Sequence, residues 1–63
     1  MADWKDWLLF FIEIIKWIII NVPKMGYEAA RSAAISLTAS KYGVSEDEIE
    51  EHIGKKIDSH FGV

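Results

Sequence analysis

Glu13 and Lys16 stand inside the run WLLFFIEIIKWIII, residues 7–20, and are the first side chains that invite a chemical reading. A carboxylate in apolar surroundings can serve as an acid or base when burial raises its pKa. Three residues apart on a helix, the two can instead pair with each other. That pairing, on a stripe left in water, needs fewer assumptions and is the reading adopted. Glu48 and His52 form a second candidate, because i, i+4 spacing puts them on one helical face. The HExxH arrangement is absent, no cysteine supplies a thiolate, and a tetrahedral metal site would lack ligands. Lys56 lies near the same face as His52 and His60, where its ammonium would repel a cation; both histidines are read as solvated. Ser32, Ser36, Ser40, Ser45 and Ser59 show no nucleophile elbow and no spacing that pairs one with a base. There is no glycine-rich phosphate loop. The sequence therefore predicts no catalytic residue, no cofactor and no metal site.

What remains is the apolar run itself. Sixty-three residues form one small domain, 1–63, and a chain this short buries only about 60% of its unfolded surface. Such chains normally need a disulfide, a metal or self-association. With no cysteine, self-association or lipid is left. The net charge of −3 and the scattered lysines give no general affinity for phosphate backbones, so nucleic acid is not an expected partner.

Three helices are predicted. The first spans about 3–21, with Asp3 as its cap and Asp6 in its first turn. Lys5, Asp6, Glu13 and Lys16 fall on one side of it, together with Leu9 and Ile20. Pro23 and Gly26 predict a tight turn, with a kinked continuous helix as the alternative. The second helix, about 24–41, carries one small-residue stripe of Ala29, Ser32, Ala33, Ser36 and Ser40, and a neighbouring one of Ala30, Ala34 and Leu37. A helix of small residues is complementary in volume to a bulky first helix. Gly43 predicts a left-handed stop. Ser45 and Glu48 predict a capping box for a third helix at about 46–59, with Val44 and Ile49 as its staple. Ile49, Ile53 and Ile57 recur every four residues, and Phe61 continues the row.

Residues 38–53, TASKYGVSEDEIEEHI, resemble the helix-turn-helix pattern of small DNA-binding domains at Ala39, Gly43, Val44, Ser45, Ile49 and Ile53. The resemblance implies a helical corner presenting a recognition helix. Base edges are read by Arg, Lys, Asn or Gln. Here the corresponding surface carries Glu46, Asp47, Glu50 and Glu51, which phosphates would repel. A protein with a basic surface suits that helix better than DNA.

A membrane span is close to balanced. The ten Leu, Phe and Ile residues of 8–20 favour insertion by roughly 3–6 kcal/mol, while Glu13 and Lys16 oppose it by roughly 5–7 kcal/mol. Helix packing explains the run more simply. The expectation is an all-α protein, a helical hairpin plus a capped third helix, assembled as a homo-oligomeric bundle. Its shared interface would comprise Trp4, Trp7, Leu8, Phe10, Phe11, Ile14, Ile15, Trp17 and Ile18. The function expected is non-enzymatic, of adapter or inhibitor type, in the cytoplasm. The alternative is a small oligomeric membrane protein, pore-forming or holin-like, using helix 7–20.

Overall fold

The computed structural model describes residues 3–63, and those residues are helical with no strand. Helix α1 spans Trp4–Met25 and α2 spans Tyr27–Tyr42. The third helix begins as α3 (Glu46–Ile49), passes through a π segment (Glu50–Gly54) and ends as α4 (Lys55–His60). Phe10 meets Tyr42, so α1 and α2 are antiparallel. Arg31 reaches Glu50 and Tyr27 reaches Asp58, so the third helix runs back along α2.

Helix α1 outruns its predicted end by one turn. The turn expected at Pro23 is absent, and the helix continues through it to Met25. Proline removes one backbone donor. Pro23 is exposed, where water can serve the freed carbonyl. The chain reverses instead at the single residue Gly26, with φ 86° and ψ 164°. A side chain rarely tolerates that conformation, which glycine adopts readily. The Gly26 N–H donates to the Val22 carbonyl at 2.9 Å, and its own carbonyl accepts from Ala30 at 3.0 Å. One residue thus closes α1 and opens α2.

The caps form where the sequence places them. Asp3 and Asp6 make a reciprocal box at the start of α1. Gly43 is left-handed, φ 68°, and ends α2. The Ser45 Oγ accepts from the Glu48 N–H at 3.0 Å, and the Glu48 carboxylate accepts from the Ser45 N–H at 3.3 Å.

One core joins the three helices. Phe10, Ile14, Ile15 and Ile18 come from α1, Ala30, Ala34, Ile35 and Ala39 from α2, and Ile49, Ile53 and Ile57 from the third helix. The small-residue complementarity holds at Ala30 and Ala34 but not on the other stripe. Ala29, Ser32, Ser36 and Ser40 face solvent, and so does Leu37. The buried side of α2 also includes Ile35 and Thr38.

The π segment has a rationale in the isoleucine row. Residues four apart overshoot a 3.6-residue turn by about 40° at each step. A wider π turn winds less per residue, so it keeps Ile49, Ile53 and Ile57 closer to one line. Gly54 sits inside that segment, buried. A Cβ there would collide with the Glu50 carboxylate and press on Arg31.

Candidate functional site

Glu13 answers first, because its surroundings decide whether chemistry is available. It does not pair with Lys16. Its carboxylate accepts from the Tyr42 hydroxyl and from the Lys41 ammonium, the latter at 2.9 Å. The Tyr42 hydrogen bond, then Lys41, holds Glu13 below the ordinary carboxylate range. A carboxylate stabilised in its charged form is a poor proton acceptor near neutral pH. The arrangement instead ties α1 to the last turn of α2 beside a cleft lined by Glu13, Trp17, Ala34, Leu37, Thr38 and Lys41.

The second polar cluster is more enclosed and fastens the third helix. Arg31 donates to Asp58 at 2.8 Å, to Glu50 at 2.7 Å and to the Gly54 carbonyl at 3.3 Å. Tyr27 donates to the same Asp58 oxygen at 2.6 Å. Burial, then the bond to Asp58, pushes the Tyr27 hydroxyl up to about 12. Asp58 is held low by Tyr27 and then Arg31, and Glu50 by Arg31. Each charge has a partner, so the cluster fastens α2 to the third helix and leaves no free group for catalysis. The sequence reading missed it: Tyr27, Arg31, Glu50 and Asp58 are far apart in the chain. Their one local signal is Arg31, the one arginine of the sequence, set among the alanines of α2.

The histidines are both exposed. His52 stacks flat on Trp7, ring centroids 4.1 Å apart, while its Nδ1 lies 2.9 Å from the Glu48 carbonyl. His60 stands edge-on to Phe11. Among the described residues no group of three or more His, Asp or Glu side chains could hold a metal ion.

The residues expected at a shared interface divide into three sets. Phe10, Ile14, Ile15 and Ile18 are buried within this one chain. Trp7, Phe11 and Trp17 are half-covered, packed against the same core. Trp4 and Leu8 stay exposed, at 70% and 52% of their surface. One chain therefore covers more of its own aromatic surface than its length led us to expect.

The apolar surface left over lies on the opposite side of α1. Leu8, Leu9, Ile12, Ile19 and Ile20 are all exposed, Ile20 at 64%. At 100° per residue they flank the line of Lys5 and Lys16, away from Ile14 and Ile18. Ile12 and Ile19 were not singled out in the sequence. Leu9 and Ile20 were, but as members of a polar side. That side does face outward at Lys5, Leu9, Lys16 and Ile20, and Leu8, Ile12 and Ile19 continue the exposed surface with apolar side chains. Beside it, Trp4, Trp7, Leu8, Phe11, His52, Ile53 and Lys56 line an open groove of ≈ 450 Å³ between α1 and the third helix.

The acidic surface of the helix-turn-helix-like corner is as the residues suggested. Glu46, Asp47 and Glu51 project from the third helix, exposed, and Glu50 is engaged by Arg31. No protein-family model, curated protein or solved structure matches the chain. The functional reading therefore rests on the surface alone. Among the described residues, no helix is long and apolar enough to cross a membrane.

Proposed function

We propose that this chain is a small non-enzymatic helical module that works by protein–protein association, with the outer face of α1 as the contact surface and itself as first partner. One observation carries the reading. Leu8, Leu9, Ile12, Ile19 and Ile20 remain exposed on a helix whose other side already fills the core. Side chains half-exposed in this way present on the order of 400 Å² of apolar surface, a size at which the largest patch of a monomer is often functional. Two copies burying such a face remove roughly 800 Å², below the 1,200–2,000 Å² of a stable complex. Association of this size is reversible and responds to concentration. A protein with a basic surface is the second partner class, met by the acidic side of the third helix.

The membrane alternative takes a narrower form. For a pore built on helix 7–20, no helix among the described residues is long and apolar enough to cross a membrane. A helix lying flat on lipid would use the same outer face, with Lys5 and Lys16 reaching toward headgroups. Light scattering coupled to size exclusion, in buffer and then with anionic vesicles, separates the readings. A mass above 7.2 kDa in buffer alone supports protein association. A 7.2 kDa species at every concentration that moves onto vesicles contradicts it.

A further inference from the structure

Lys5 and Lys16 constrain how a second copy can sit on α1, given the association reading above. Both are exposed. They are about three turns apart and so lie on nearly one line along the helix. Leu8, Ile12 and Ile19 flank that line on one side, Leu9 and Ile20 on the other. A parallel copy would set Lys5 against Lys5 and Lys16 against Lys16, like charges facing across a drying seam. An antiparallel copy crossing at Ile12 avoids both encounters. It brings Lys16 level with Leu8 of the second copy, and Lys5 level with Ile19. Each lysine stem then lies along an apolar side chain while its ammonium reaches the rim. Asp6 of the second copy falls within two residues of the Lys16 level, on the Leu9 and Ile20 side of the line, an opposite charge for that ammonium. The bulk of each protomer does not interfere, because α2 and the third helix pack on the other side of α1.

We propose that a second copy of this chain docks antiparallel on the outer face of α1, about a two-fold axis at Ile12. The face is then self-complementary, and the assembly closes as a dimer. Since the chain has no cysteine, single-cysteine variants report the geometry directly. A disulfide needs Cα atoms within about 7 Å. Ile12→Cys sits at the axis and should oxidise rapidly to a covalent dimer. Leu8→Cys should not link to itself, because its two copies are displaced by about 12 Å along the axis. Mixed with Lys16→Cys, it should give the Leu8–Lys16 cross-link, identified by mass. All three positions are exposed, so each variant should keep the circular dichroism of the parent. Rapid self-linking of Leu8→Cys would show parallel pairing and overturn this geometry while leaving association intact. A parent chain that stays monomeric at every concentration removes the association reading itself, and this arrangement with it.

Discussion

On the inner side of α1, Phe10, Ile14 and Ile18 share a core with Ala30, Ala34 and Ile35 and are closed to water. On the outer side, Leu8, Ile12 and Ile19 are as apolar and stay about half exposed. Apolarity alone does not choose between the sides. The lysines do. Rolled by half a turn, α1 would carry Lys5 and Lys16 into the core, and unpaired buried ammonium groups are far costlier than exposed isoleucines. Glu13 then sets the rotation more finely, because its bonds to Lys41 and Tyr42 hold that edge of α1 against the end of α2.

The comparison breaks most visibly at the paired positions Ile14 and Ile12. Ile14→Ala removes a fully buried side chain and should cost about 2–5 kcal/mol in a urea titration. Ile12→Ala, measured on dilute protein, should change stability by no more than about 0.5 kcal/mol. Equal losses at both positions would mean that the outer face is covered within one chain, contrary to this structure.

A smaller effect separates the two polar clusters. Arg31→Met removes charge-assisted hydrogen bonds to Asp58 and Glu50, worth about 1–3 kcal/mol together once partial exposure is allowed for. The same cluster gives the fold a pH dependence. Asp58 and Glu50 sit below their ordinary values of 3.8 and 4.5 when folded. Their contribution is therefore complete above the ordinary carboxylate range. It is lost as pH falls through that range and below it. The parent should lose more stability than Arg31→Met between pH 6 and about pH 3. Parallel pH profiles would show that the cluster contributes nothing.

The cap comes next. Ser45→Ala should cost about 0.5–2 kcal/mol, and an unchanged denaturation midpoint would uncouple the third helix from the core. The smallest effects belong to the edge charges. Lys41→Gln should cost little, as the loss of an exposed ion pair does. Lys16→Gln, with no ion-pair contact among the described residues, should cost less. A larger loss for Lys16 than for Lys41 would reverse the assignment of Glu13's partner.

Local signals were legible in the sequence. Asp3, Gly43 and the Ser45–Glu48 box each act within one turn of backbone, so residue type and spacing suffice to place them. The isoleucine row at 49, 53 and 57 was visible, and it is fully buried or nearly so. Its four-residue period also held the trace of the π segment, which a regular helix would have had to absorb as drift. The outward direction of Lys5 and Lys16 was legible too. Two other features were not legible from residue type and spacing. Pro23 stays helical because an exposed position and the Gly26 reversal make the longer helix workable. Glu13 leaves Lys16 because Lys41 and Tyr42, distant in sequence, arrive beside it with better geometry. The candidate surface was only half legible, since the choice among equally apolar residues depends on which side α2 covers.

Sedimentation equilibrium over a dilution series, without detergent, tests the role of the outer face most directly. The parent and Ile12→Glu should be compared at one salt concentration. The parent should fall from the dimer mass to 7.2 kDa on dilution, while Ile12→Glu stays at 7.2 kDa throughout with unchanged helicity. A parent that remains at 7.2 kDa up to high micromolar concentration, or an Ile12→Glu chain that associates as the parent does, would contradict it.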